Sequence, residues 1–128
     1  MVVPENQRGV YERAIKSLWK DNATIYVRES YTDEETALEK QREISVLDDE
    51  PCRIVYVSSP TTGDDRGAPA KAQTIKLLID RNAELPLGSK ISVLREDTDE
   101  PEEYRNAGMA GIYSVHKEIT LEVWKGWA

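Results

Sequence analysis

Ala72-Gln73-Thr74-Ile75-Lys76-Leu77-Leu78-Ile79-Asp80 alternates along its length, with Ile75, Leu77 and Ile79 on one side and Thr74, Lys76 and Leu78 on the other. A period of two places alternate side chains on opposite faces of an extended chain, so this stretch predicts a strand with one apolar face. Upstream, Cys52-Arg53-Ile54-Val55-Tyr56-Val57-Ser58 reads the same way and is apolar on both faces in its later part, as expected inside a barrel or sandwich. Downstream, Leu85-Pro86-Leu87-Gly88-Ser89 is a turn signal that leads into Lys90-Ile91-Ser92-Val93-Leu94, where Ile91 and Val93 share a face.

Further out, Ala23–Glu29 is rich in β-branched residues and Ser30–Thr36 is a polar, acidic turn. A strand is expected over Leu38–Val46, then a turn at Leu47-Asp48-Asp49-Glu50-Pro51. Tyr104–Asn106 and Gly111–Val115 read as pieces of one bent strand, broken at Gly108 or Gly111. The last strand places Ile119, Leu121 and Val123 inward, with Thr120, Glu122 and Trp124 outward. Only residues 7–20 carry a helical period, with Val10, Tyr11, Ala14, Ile15, Leu18 and Trp19 forming one stripe.

One helix followed by strands with no helix between them leaves antiparallel pairing as the economical arrangement. The expected fold is mainly β: a small antiparallel barrel or sandwich of six to eight short strands over 23–125, with the N-terminal helix packed on it. The 128 residues suit a single domain, 1–128. A long flexible loop is expected at 59–72, because two prolines, two glycines and three charged residues over 60–69 disfavour regular structure.

Composition narrows the function. A single cysteine, Cys52, rules out an intrachain disulfide and points to a reducing compartment. No basic segment followed by an apolar run opens the chain, and no apolar run approaches a membrane span, so neither export nor membrane contact is expected. The net charge of −7 argues against gripping nucleic acid by its phosphates. It suits solubility, or a surface past which DNA slides without sticking. Glu96–Glu103 holds six acidic residues and no basic one, the pattern of a solvated loop.

Catalytic patterns fail on counts. His116-Lys117-Glu118 and Pro51-Cys52 resemble fragments of a zinc deaminase signature, but the second cysteine is missing and the order is reversed. One histidine and one cysteine are too few for a tetrahedral zinc site. The chain has no nucleophile elbow, phosphate-binding loop or calcium loop. Cys52 reads as a small core residue and His116 as a structural one. No catalytic residue, cofactor or metal is expected. Tyr26, Tyr56 and Tyr104 could form a stacking platform only in a basic groove, so core or interface packing is the expectation. Trp124 and Trp127 fall together in Val123-Trp124-Lys125-Gly126-Trp127-Ala128, either clamped on the protein's own core or offered to a partner.

The succession Pro51-Cys52-Arg53-Ile54, a polar loop, Ile75–Asp80, then Leu87-Gly88-Ser89-Lys90-Ile91-Ser92-Val93 resembles the head–tail joining proteins of long-tailed phages and prophages. The ending Tyr113–Ile119 with Leu121-Glu122 is similar too, so the likeness runs from about Val10 to Ala128. The resemblance implies a neck protein of the virion, made in the bacterial cytoplasm. Such proteins form a ring, hexameric or dodecameric, below the portal and its adaptor; the ring closes the DNA-filled capsid and docks the tail. It also implies passing contact with packaged double-stranded DNA through a loop, here Gly63, Asp64, Asp65, Arg66 and Gly67, and no catalytic residue. A tail-completion or tail-terminator ring protein and an OB- or SH3-like binding module are the alternatives.

Overall fold

The computed structural model describes residues 5–60 and 71–127. Helix α1 (Glu5–Lys16) is followed by strands β1 (Asp21–Thr32), β2 (Glu39–Pro60), β3 (Lys71–Asp80), β4 (Lys90–Leu94), β5 (Glu102–Ile112) and β6 (His116–Val123). All neighbours are antiparallel, and the strands close into a barrel in the order β1-β2-β3-β6-β5-β4. Two three-stranded meanders, β1-β2-β3 and β4-β5-β6, are therefore joined first strand to first and third to third. Closure leaves the barrel body without a free sheet edge.

Every strand contributes inward side chains. Ala23 and Ile25 from β1, Cys52 and Ile54 from β2, Leu77 and Ile79 from β3 meet Ile91 and Val93 from β4, Tyr104 from β5, and Ile119 and Leu121 from β6. The alternation read from 75–79, 91–93 and 119–121 thus marks the core face. Val123 breaks the pattern and is exposed, at the end of the β5–β6 ladder opposite Tyr104.

β2 corrects the expected turn at Leu47–Pro51. The chain does not reverse there; it runs on as one strand of 22 residues. Asp49 takes a left-handed φ of 46°, and Cys52 lies opposite both Asp21 of β1 and Ile79 of β3. β2 thus changes neighbour where it bends, serving β1 before Cys52 and β3 after it. The same ladder corrects the loop at 59–72: Ser59 pairs with Ala72 and Pro60 with Lys71, so both strands continue into it. β5 is likewise continuous, with register shifts at Asn106/Gly108 and Met109/Gly111 in place of a break.

The helix ends four residues earlier than the periodicity predicts, and its stripe does not lie flat on the barrel. Val10, Tyr11 and Leu18 are exposed. A helix of 12 residues is marginal by itself, and this one is tied down at its C-terminal end. Lys16 pairs with Glu12 one turn back and with Asp80 at the end of β3. Just beyond, Trp19 is buried edge-on against His116, which stacks on Tyr113 with ring centres 4.7 Å apart.

Candidate interaction surfaces

β1 and β2 outrun the barrel. β4 pairs with β1 only from Asn22 to Tyr26, whereas the β1–β2 ladder continues to Thr32 opposite Glu39. Beyond Tyr26 the pair is a two-stranded arm, and its residues are exposed or half-buried on both faces. Arg42 holds the arm laterally: its Nε donates to Glu29 at 2.7 Å, and its guanidinium lies 4.9 Å from the Tyr31 ring centre. The turn at its tip is organised by Asp33, whose carbonyl accepts from the Ala37 N–H at 2.8 Å and whose N–H donates to Leu38 at 2.9 Å. The Asp33 carboxylate accepts from Lys40 at 2.7 Å and caps the Glu35 N–H at 2.9 Å, and these bonds, Lys40 first, hold it below the usual carboxylate range. Tyrosine and arginine on a coreless hairpin were legible as strand and turn residues; nothing in their order signals that β4 stops short.

Trp124 and Trp127 sit on the outer wall of the barrel, half-buried and edge to face with centres 4.8 Å apart. The Trp124 N–H donates to the Glu103 carbonyl at 3.2 Å, and Trp127 Nε1 donates to Glu43 at 3.3 Å. Beside Trp124 lies Lys90, whose Nζ is 5.6 Å from the Trp124 ring and 5.5 Å from that of Tyr26. Glu43 and Glu103 pair with that ammonium at 3.2 and 3.5 Å. Burial opposes the charge on Lys90, but these carboxylates outweigh it and push its pKa up. The tail is therefore clamped on its own chain, while Val123, Lys125 and the rim of Trp127 line an open groove with Arg105 and Glu122.

The tyrosines divide between two places. Tyr26 belongs to the Lys90 cluster. Tyr104 is buried and donates to Glu102, with its oxygen 3.5 Å from that of Tyr56. Burial first, and then these bonds, push the Tyr104 phenol far above its ordinary pKa. Arg95 completes the chain, donating to the Tyr56 hydroxyl at 3.1 Å with its guanidinium 5.3 Å from that ring. Beside it opens a cleft of about 440 Å³ whose lining includes Leu18, Lys20, Arg53 and Glu96. Asp21 is its keystone, accepting from the backbone N–H groups of Ile54 and Glu96 at 3.1 Å each.

No three His, Cys, Asp or Glu side chains among the described residues are grouped to hold a metal ion. Burial, with Asp21 and Glu50 nearby, pushes the Cys52 thiol up to about 12, so it stays protonated at neutral pH. No helix among those residues is long and apolar enough to cross a membrane. The segment Gly63, Asp64, Asp65, Arg66 and Gly67 lies outside the described residues. No protein-family model matches this chain, and no curated protein matches it significantly.

Proposed function

We propose that this chain is a non-enzymatic neck protein of a long-tailed phage, one of several copies in a ring between the portal assembly and the tail. The observation that carries the reading is the arm. A closed barrel has satisfied its own sheet, yet β1 and β2 extend beyond it and gain no core by doing so. Among the described residues, backbone groups on both outer edges of that hairpin lack a neighbouring strand, which is material for contact with another chain. The succession of segments that resembles head–tail joining proteins supplies the rest. An acidic chain of net charge −7 suits a channel through which DNA passes without adhering.

The test is disruption of the gene in the phage or prophage that encodes it. DNA-filled heads without tails should accumulate and release nuclease-sensitive DNA, and a plasmid copy should restore infectious particles. A copy lacking 63–67 should restore tailed particles that leak DNA. Normal tailed particles in the disrupted strain would end the proposal.

A further inference from the structure

The tip of the arm and the cleft beside Asp21 carry complementary chemistry. At the tip, Leu38 is 62% exposed, and Glu34, Glu35 and Glu39 form no ion pair among the described residues. Asp33 is already occupied by Lys40 and by the turn's own N–H groups, so the tip is a preorganised shape with spare negative charge. At the cleft, Leu18 is 58% exposed, and Lys20 and Arg53 form no ion pair among the described residues. Of the acidic groups there, Asp21 accepts from backbone N–H groups and its charge acts on Arg95, Asp97 lies 4.0 Å from Arg95, and Glu96 stands at the rim. An exposed leucine flanked by free carboxylates thus has its counterpart in an exposed leucine flanked by free cations.

The two surfaces lie toward opposite ends of one strand. Asp21 begins β1 and Thr32 ends it, a run of roughly 35 Å at about 3.3 Å per residue. A copy therefore cannot reach its own cleft with its own arm. We infer that the arm tip of one copy docks in the Leu18–Lys20–Arg53 cleft of the next, with Leu38 against Leu18 and the tip carboxylates against Lys20 and Arg53. Such a contact uses different surfaces on its two sides. It is heterologous, the kind of contact that builds a ring when its rotation closes. The inference names the contact between copies for the reading above, but its test does not depend on a virion.

Leu38→Cys protein carrying a mass tag is mixed with untagged Leu18→Cys protein and oxidised at high concentration. The buried Cys52 stays out of the exchange. The expected product is the mixed-mass disulfide dimer, in several-fold excess over either homodimer. Glu34→Lys with Glu35→Lys on the first partner should cut its yield several-fold, and Lys20→Glu with Arg53→Glu on the second should restore it. High salt should weaken the original pair, since exposed charges are screened. A statistical mixture of dimers, homodimers alone, no dimer, or yields indifferent to the charge reversals would overturn the inference. Normal particles from a disrupted gene together with the mixed dimer would remove the neck role and leave the contact standing.

Discussion

Strand β1 is two regions in one. From Asn22 to Tyr26 it lies between β2 and β4, and its inward residues Ala23 and Ile25 have no exposed surface. From Val27 to Thr32 it has one neighbour among the described residues, and no residue there is buried. The backbone pattern hardly changes across the boundary; what changes is the number of partners. A strand with neighbours on both sides and a core beneath it is held by burial, whereas a two-stranded ribbon in water is marginal. The arm therefore draws its position from the barrel and its shape from polar contacts, among them Arg42 with Glu29 and Tyr31 and the Asp33 turn.

Substitutions in the two regions should separate widely. Leu77→Ala empties the centre of the barrel and should cost about 3 kcal/mol in urea unfolding, the usual size for a buried leucine. Next comes Asn106, buried beside the β5 bulge. Its Nδ2 donates to the Leu85 and Pro86 carbonyls at 2.8 and 3.2 Å, and its Oδ1 accepts from the Gly108 N–H at 2.9 Å. Asn106→Ala strands those groups and should cost about 2 kcal/mol by the same measurement. Gly88 has a φ of 80° in the turn closed by Ser89 N–H on the Pro86 carbonyl at 3.0 Å. Gly88→Ala places a Cβ in the left-handed region and should cost about 1 kcal/mol.

A smaller effect is expected where the helix is tied. Burial opposes ionisation of Asp80, but Lys16 and the Asn82 N–H outweigh it and hold the carboxyl below its ordinary range. Because the folded value is the lower one, this stabilisation is present above the ordinary carboxylate pKa and disappears as pH falls through the folded value. Asp80→Asn should accordingly be less stable than the parent at neutral pH and equal to it in strong acid. A difference that persists in acid would assign the loss to packing instead.

The smallest effect belongs to the arm. Tyr31→Ala should change stability by less than about 1 kcal/mol. Amide exchange sharpens the same contrast: Arg28–Thr32 and Gln41–Glu43 should exchange without global unfolding, and Ile25, Leu77 and Ile119 only with it. Arm amides protected as strongly as those of the barrel would mean that the hairpin is not an independent ribbon.

Much of the barrel is legible along the chain because each core strand announces its face. Ile75–Ile79, Ile91–Val93 and Ile119–Leu121 alternate, and those residues line the interior. Asp48-Asp49-Glu50-Pro51 misleads, since its polar composition means a turn when nothing else is known. Pairing with Asn22 and Ala23 across the sheet holds it in β2 instead. The Trp124–Trp127 pair stands out by proximity, but the residues that clamp it, Lys90, Glu43 and Glu103, come from three other strands. No local signal links them. The arm is half legible: strand, acidic turn and strand are all readable, and projection beyond the barrel is not.

By itself the sequence determined that this protein is built of antiparallel strands, which side chains of 75–79, 91–93 and 119–121 face inward, and that it carries a single Cys and a single His. Those properties follow from period, residue type and count, and all of them are local. Only the tertiary structure decided where β2 turns its allegiance from β1 to β3, that the barrel closes through β1–β4 and β3–β6, and that β4 ends too soon to cover the arm. Each depends on which strand lies alongside, and a backbone hydrogen bond between residues far apart in sequence leaves no trace in the order of either strand.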